Sequence, residues 1–184
     1  MSFIPPDVKR SLIEVVKKLD NLKVKYLIIG AIPVLYYGRP RLSWDIDIVL
    51  ATTKDKMLKI FRPKRYSLVR GEKMVFKFRD LETNSFIDVL LNPSDLGLTP
   101  ESFERKKEIM VNNTKINIPS PEDYIITKLI SRRARTPDYM DTISTMLNMY
   151  EELDWLYLER RAKTLRIDSL LKYYKEGVEW RRRL

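Results

Sequence analysis

Two aspartates inside a short apolar run constrain this chain more than any other feature. Asp45 and Asp47 alternate with isoleucines in the sequence Asp-Ile-Asp-Ile-Val-Leu, and this period of two is typical of a β-strand. In a strand both carboxylates project from one face, with their Cα atoms about 6.5–7 Å apart, while Ile46 and Ile48 point to the other face. The chain therefore needs a fold that buries one face of this strand and gathers negative charge on the other.

The acidic pair has two interpretations. Carboxylates that lie close together repel one another, and burying them unpaired costs several kcal/mol. A divalent cation removes that cost, and magnesium characteristically binds one or two protein carboxylates together with phosphate oxygens. The alternative is a pair of solvated aspartates on the exposed face of an edge strand, although aspartate is depleted in strands.

A third acid, Asp88, is also embedded in an apolar run that is predicted to be a strand. If a neighbouring strand brings Asp88 beside Asp45 and Asp47, the three carboxylates complete a two-metal site. In such a site one ion activates an attacking hydroxyl and the other binds a triphosphate. Asp88 would then be both a metal ligand and a candidate general base. The alternative is an aspartate that caps a turn or pairs with an arginine.

The absence of histidine and cysteine narrows the chemistry further. Without histidine the chain cannot build Ser–His–Asp or Cys–His catalysis, nor a histidine-ligated metal site. Without cysteine, disulfides, zinc ribbons, iron–sulfur clusters and thiol nucleophiles are excluded. A metal site must therefore use oxygen ligands, which favours Mg²⁺, Mn²⁺ or Ca²⁺.

The net charge of +10 is unevenly distributed along the chain. Residues Lys54 to Arg79 include ten basic residues against two acidic ones, a local charge of +8. Charge of that density favours a phosphate-rich partner such as nucleic acid, and the alternative is a solvated basic face. The longest uncharged stretch, Tyr26 to Gly38, is 13 residues long, short of the roughly 20 that a membrane-spanning helix needs. With no secretory leader visible, we expect a soluble cytoplasmic protein that does not contact membranes.

The order of predicted elements indicates an α+β fold, with a mixed sheet and flanking helices followed by a C-terminal helical region. We predict an α/β core over residues 1–118 and a helical region packed on it over residues 119–184. Strands are predicted at 24–29, 45–50, 66–70, 74–79 and 85–91, with a turn at Gly71 and a hairpin at 107–111 and 115–118. Helices are predicted at 7–21, 31–37, 54–61, 120–133, 138–150, 154–163 and 168–180, and Ser120 is predicted to cap the fourth of them.

Gly30 marks a candidate phosphate-binding turn, because it lies where a predicted strand changes to a short helix. Glycine at such a junction lets the backbone approach an anion, and the N–H groups of the following helix start point towards it. The order of strand, Gly30-Ala31, helix and acidic strand would place this turn beside the carboxylates.

These residues resemble the nucleotidyltransferase superfamily that includes polymerase β, kanamycin nucleotidyltransferase and the CCA-adding enzymes. Gly30-Ala31 is similar to its Gly-Gly or Gly-Ser pair, Asp45-Ile46-Asp47 to its D-h-D motif, and Asp88 to its third acid. The segment from Arg41 to Asp47 also resembles the R-x-T-x-D-h-D run of minimal and toxin-type members, with Ser43 at the threonine position.

The helical half adds a looser resemblance, so that the likeness spans residues 25 to about 145. Residues 120–129 resemble the "spedL…KL" helix of AbiEii-like toxins, and residues 138–141 resemble their "RxKDxxD" segment. The resemblance implies that Lys128 binds the nucleotide phosphates as a point charge. The alternative is a lysine whose apolar stem lies at the edge of a buried stripe.

Asp138 and Asp141, in the second of these segments, also have two interpretations. They are candidates for a catalytic role by resemblance. Alternatively they are helix-surface acids that pair with nearby arginines, namely Arg132, Arg133 or Arg135.

The resemblance implies an Mg²⁺- or Mn²⁺-dependent enzyme that moves a nucleoside monophosphate from a nucleoside triphosphate to an acceptor hydroxyl, releasing pyrophosphate. The implied metal ligands and catalytic residues are Asp45, Asp47 and Asp88, and the implied nucleotide-binding residues are Gly30, Ala31, Ser43 and Lys128. The acceptor would be RNA, such as the 3′ end of a tRNA, or a partner protein, as in a toxin–antitoxin system. Ala31 lacks the hydroxyl that a serine would offer to phosphate. That departure supports the alternative of a catalytically degenerate binding module, an antitoxin or an RNA-binding partner.

Overall fold

The computed structural model describes residues 3–61, 64–131 and 136–184. Its centre is a five-stranded mixed sheet in the order β1-β2-β5-β4-β3. The strands are β1 (Tyr26–Ile28), β2 (Asp45–Leu50), β3 (Tyr66–Glu72), β4 (Val75–Asp80) and β5 (Phe86–Leu90). Strands β2 and β5 run parallel, whereas the other neighbouring pairs are antiparallel.

Helices flank this sheet and dominate the C-terminal part of the chain. They are α1 (Pro6–Asn21), α2 (Ile32–Tyr37), α3 (Lys54–Phe61), α4 (Pro100–Glu104), α5 (Pro121–Ile130), α6 (Thr136–Met149), α7 (Trp155–Thr164) and α8 (Asp168–Arg182). A 3₁₀ turn covers Pro93–Leu96, and β6 (Lys107–Val111) and β7 (Thr114–Ile118) form a separate hairpin. The α+β class predicted from the sequence is confirmed. None of the helices in the described ranges combines the length and apolarity that crossing a bilayer requires.

One face of the sheet forms the main core. Ile46 and Ile48 of β2 are fully buried there, in one cluster with the apolar stripe of α1 and with residues of α3. Burying each aliphatic side chain of this kind stabilises the fold by about 1.5–3 kcal/mol. Because side chains alternate along a strand, this burial forces Asp45 and Asp47 onto the opposite face.

The opposite face of the sheet is covered only in part. Towards the carboxyl ends of β2 and β5, Val49 packs in a cluster with Leu98 and Phe103, and Leu90 lies against that cluster. The face remains open at the amino ends of the same strands, where Phe86 of β5 is 38% exposed, and on β4 and β3. The acidic positions therefore lie where the covered and open parts of this face meet.

The C-terminal helices form a second apolar cluster, to which α5 contributes Ile125, Ile126 and Leu129. Helix α5 begins as predicted, because the Ser120 hydroxyl accepts the backbone N–H of Asp123 at 3.2 Å. Tyr124 of the same helix belongs to the main core instead. Helix α5 thus joins both clusters, and the division of the chain at residue 118 stays a prediction.

Three local expectations were wrong or incomplete. The turn expected at Gly71 lies further on, because β3 continues to Glu72 and the chain reverses at Lys73, whose φ is +50°. Helix α5 ends at Ile130 rather than near residue 133, and residues 132–135 lie outside the described ranges. The 3₁₀ turn and α4, between residues 93 and 104, are too short to show a hydrophobic period and were not predicted.

Candidate active site

The three acids singled out in the sequence meet at one point. The parallel register of β2 and β5 pairs Asp47 directly with Asp88. One carboxylate oxygen from each of Asp45, Asp47 and Asp88 lies within 4.8 Å of the others, and all three residues are partly exposed. Hard divalent cations bind oxygen ligands at about 2.0–2.6 Å, so oxygens that share an ion lie at most about 4–5 Å apart. The three carboxylates therefore form a donor set that fits a hard divalent cation.

Asp47 is electrostatically strained. Burial, followed by the charges of Asp45 and Asp88, raises the pKa of Asp47 to about 7, although Lys128 and Lys77 act in the opposite direction. A carboxylate held against its own ionisation costs the fold stability at neutral pH, and such groups concentrate at functional sites. A bound cation would favour the charged form and remove this strain.

Gly30 provides the space that Asp47 occupies. Its φ is +70°, a conformation that residues with a side chain rarely adopt, and an added Cβ would lie 2.0 Å from Oδ2 of Asp47. The neighbouring backbone is fixed by Ile29, whose N–H donates to the carbonyl of Asp47 at 2.8 Å. Gly30 was predicted to let the backbone approach a bound anion. In the structure the backbone of Gly30 lies against the carboxylate of Asp47.

Ala31 and Ser43, the other two predicted nucleotide contacts on this side, are both buried. Ala31 precedes the six-residue helix α2. The Ser43 hydroxyl donates to the carbonyl of Asp45 at 2.9 Å, so it fixes the start of β2. A phosphate contact from either residue stays a prediction.

Lys128 lies in a network of charges at the junction of α5 and α6. Its Nζ donates to Oδ1 of Asp138 at 2.7 Å and to Oδ2 of Asp141 at 2.9 Å. Arg41 binds Asp141 with two hydrogen bonds of 3.0 Å. The expectation that Asp141 is a helix-surface acid was therefore wrong, because its side chain is only 2% exposed. The arginines proposed as its partners, at positions 132, 133 and 135, lie outside the described ranges.

Tyr124 connects this charge network to the glycine turn. Its hydroxyl donates to the carbonyl of Gly30 at 2.8 Å and lies 3.4 Å from Oδ2 of Asp141. Burial, followed by the charge of Asp141, raises the pKa of Tyr124 well above its ordinary value, so the hydroxyl remains a donor. No sequence signal pointed to this tyrosine, which looked like an ordinary aromatic residue of an amphipathic helix.

Replacing Tyr124 with phenylalanine tests this connection. The change leaves the Gly30 carbonyl without its donor, and we expect a loss of about 1–2 kcal/mol in the free energy of unfolding. We also expect weaker Mn²⁺ binding in calorimetry, because the turn that seats Asp47 is less firmly held. Tyr173→Phe on the exposed side of α8 is the matched control and should change neither quantity. Equal Mn²⁺ affinity in Tyr124→Phe and wild type would contradict the proposed connection.

Lys77 is a further site residue that the sequence did not single out. Its Nζ donates to Oδ2 of Asp88 at 2.8 Å, so the partner of Asp88 is a lysine rather than an arginine. The available signal was the alternation of β4, in which Lys77 lies between the buried Phe76 and Phe78. That pattern places Lys77 on the polar face, but its neighbour on β5 depends on a register that the sequence does not reveal.

The arrangement of sheet and helices is that of the nucleotidyltransferase-like fold, as two solved structures show. An antigenic nucleotidyltransferase-like protein from Paracoccidioides brasiliensis superposes with a TM-score of 0.54 at 20% identity, over 92% of this chain and 93% of its own. The antibiotic-resistance factor ANT(2'')-Ia superposes with a TM-score of 0.57 at 11% identity, over 95% of this chain and 98% of its own.

The family is defined by a sequence match. Residues 67–176 match the family described as nucleotidyl transferase of unknown function (DUF2204), and the chain belongs to this family. The matched segment contains Asp88 and Lys128, whereas Asp45 and Asp47 precede it. No curated protein sequence matches the chain.

Proposed function

We propose that this protein catalyses the Mg²⁺-dependent transfer of a nucleoside monophosphate from a nucleoside triphosphate to an acceptor hydroxyl, with release of pyrophosphate. The observation that carries the proposal is the meeting of the Asp45, Asp47 and Asp88 carboxylates within 4.8 Å. Membership of a nucleotidyl transferase family supports the reaction class. The metal requirement rests on the donor set alone, which consists of carboxylate oxygens.

The three acids have different roles, which follow from their positions. Magnesium or manganese, when bound, supplies charge neutralisation for the triphosphate and acidifies the attacking hydroxyl. Asp45 and Asp47, at alternate positions of β2, would hold the metal. Asp88 orients the acceptor hydroxyl and accepts its proton, since its side chain is 29% exposed and reachable from the open face. Lys77 holds the Asp88 carboxylate in this orientation.

The nucleotide lies between the glycine turn and the charge network of α5 and α6. Backbone N–H groups at Gly30 and Ala31 contact the phosphates, and Lys128 contributes positive charge. Lys128 is close enough to act on the charge of Asp47, which supports this assignment. Asp138 and Asp141 hold the Lys128 ammonium in place, so Lys128 is already positioned when the nucleotide binds. Ser43 acts as a positioning residue for Asp45.

The acceptor is the hydroxyl of an RNA, such as a tRNA 3′ end, or of a partner protein, and the reaction would suit a cytoplasmic toxin of a toxin–antitoxin pair. The support is the +8 charge between Lys54 and Arg79. Such charge density attracts polyanions and disfavours cationic acceptors such as aminoglycosides.

The decisive experiment incubates the protein with each labelled nucleoside triphosphate, Mg²⁺, total RNA and cell protein, and separates the labelled products. We expect label in a macromolecular fraction that disappears when Mg²⁺ is chelated. A parallel melting experiment should show stabilisation by Mg²⁺ with nucleotide in wild type and none in Asp47→Asn. If neither ligand shifts the melting temperature and no product is labelled, the catalytic proposal fails and a degenerate binding module is favoured.

A further inference from the structure

The open face of the sheet continues from the acidic centre to the edge strand β3. The strand registers define two rows of side chains across β2, β5, β4 and β3. The first row is Asp45, Phe86, Arg79 and Ser67, and the second row is Asp47, Asp88, Lys77 and Arg70. Because neighbouring strands lie about 4.8 Å apart, each row spans about 14 Å. Each row thus contains an arginine, Arg79 or Arg70, within about 14 Å of the carboxylates.

Phe86 is the unusual residue of this face. It lies between Asp45 and Arg79 and is 38% exposed, whereas Ile87 and Val89 of the same strand are fully buried. The ammonium of Lys77 lies 5.3 Å from the centre of its ring. Single exposed apolar residues are common, but an aromatic ring next to cations and beside a candidate active site has the composition of a base-stacking surface.

The cations of this face are available to a ligand. Arg79 is exposed and donates to the neutral side-chain amide of Asn84. The Arg70 side chain is 70% exposed and pairs with Glu72 on the same strand. Exposed pairs of this kind contribute little to stability, so Arg70 loses little by turning to a phosphate. The face therefore combines a stacking surface with two cations further from the metal centre.

We propose that Phe86, Lys77, Arg79 and Arg70 form an acceptor platform that binds the end of a single-stranded polynucleotide. A terminal base stacks on Phe86, the backbone phosphates lie on Arg79 and Arg70, and the terminal sugar hydroxyl points to Asp88. This placement rests on the proposed function and names its acceptor class. In the transfer step the sugar oxygen bonds to the α-phosphorus, its proton passes to Asp88, and pyrophosphate leaves with the electrons of the broken P–O bond.

The platform can be tested without catalysis, by fluorescence anisotropy with a short unstructured oligoribonucleotide and its deoxy counterpart in the absence of nucleotide. Phe86→Leu should weaken binding about tenfold without changing the salt dependence, because it removes stacking but no charge. Arg79→Gln and Arg70→Gln should each lower the slope of log affinity against log salt by about 0.7, the value for one lost single-strand phosphate contact. The oligonucleotide that binds more tightly shows whether the platform prefers ribose or deoxyribose.

Two matched controls lie in the C-terminal helices. Tyr173→Leu removes an exposed aromatic ring from α8, and Arg160→Gln removes an arginine of α7 that pairs with Glu101 much as Arg70 pairs with Glu72. Neither control should change affinity or salt slope. Equal losses in the controls, or no binding of either oligonucleotide at low salt, would overturn the platform.

Failure of the platform and failure of the catalytic proposal give different results. Stabilisation of wild type by Mg²⁺ and nucleotide, with no oligonucleotide binding, would overturn the platform alone. A further outcome would also overturn the platform. If polyglutamate displaced the oligonucleotide at equal charge concentration, and Phe86→Leu bound the oligonucleotide as tightly as wild type, the face would be assigned to an acidic protein. Selective loss of oligonucleotide binding in the platform variants, with nucleotide-dependent stabilisation retained, supports the platform.

Discussion

Asp47→Asn is expected to abolish nucleotidyl transfer and, at the same time, to stabilise the metal-free protein at alkaline pH. The change removes a charged metal ligand and keeps the shape of the side chain. Loss of several kcal/mol of charge stabilisation in the transition state corresponds to a rate loss of about a thousandfold or more. The rate of labelled product formation under saturating Mg²⁺ measures this effect, and Asp45→Asn should lose activity to a similar extent.

The stabilising effect follows from the raised pKa of Asp47, which is about 7 in the folded protein against an ordinary value of 3.8. Between these values the folded state keeps a proton that the unfolded chain has lost, so stability falls as pH rises through this window. Above pH 7 the folded protein bears the full free-energy cost of ionising the Asp47 carboxyl, and the uncharged asparagine side chain avoids that cost. Each pKa unit corresponds to about 1.4 kcal/mol, which sets a ceiling of about 4 kcal/mol. Relaxation of the site brings the expected gain to about 1–2 kcal/mol, or about 2–8 °C in melting temperature.

Thermal unfolding in the presence of a chelator, at pH 8 and at pH 4, measures this gain. We expect asparagine to stabilise at pH 8 and to have a much smaller effect at pH 4, where the folded carboxyl is protonated and the unfolded carboxyl is still partly protonated. Asp55→Asn, at an exposed position of α3, is the control and should show no such pH dependence. Full activity in Asp47→Asn would refute the site assignment, and lower stability at pH 8 would mean that Asp47 has a structural role.

Gly30→Ala is expected to disrupt the candidate site through geometry alone. The added methyl group would lie 2.0 Å from Oδ2 of Asp47, and the backbone would have to keep a φ of +70°. The left-handed conformation costs alanine about 1–2 kcal/mol, and displacing the carboxylate by about 1 Å can reduce the rate about a hundredfold. We expect a lower melting temperature, weaker Mn²⁺ binding and a transfer rate reduced by about that factor.

Gly177→Ala provides the matched control for this prediction. Gly177 lies inside α8, and a Cβ added there meets nothing within 4 Å. Alanine is the better helix former, so this variant should gain about 0.5–1 kcal/mol of stability and keep wild-type metal binding. If Gly30→Ala retained wild-type Mn²⁺ affinity, the glycine would not be needed to seat Asp47.

Local patterns carried a large part of the fold. The bounds of β2 and α3 were predicted as the structure has them, because the period of two in one and the amphipathic stripe in the other depend only on neighbouring residues. The cap of α5 at Ser120 was recognisable for the same reason. The turn at Gly71 was misplaced because glycine there lies against Phe76 inside a hairpin rather than at its tip.

The site contains residues whose roles local sequence patterns could not reveal. Asp141 looked like a surface acid because its own helix offers no reason to bury it. Its bidentate partner, Arg41, lies 100 residues earlier in the chain. Tyr124 and Phe86 carried no sequence signal, since their importance depends on what lies opposite them in space.

The sequence by itself determined which groups this protein can offer to a ligand: no histidine or cysteine, two carboxylates on one face of a strand, a third in another apolar strand and a glycine at a strand end. These properties are local, because backbone periodicity and side-chain type are fixed over a few residues. Only the tertiary structure decided that Asp88 faces Asp47, that Gly30 makes room for Asp47 and that basic and aromatic side chains continue the same face. Register and packing arise between distant segments, so no local pattern can encode them.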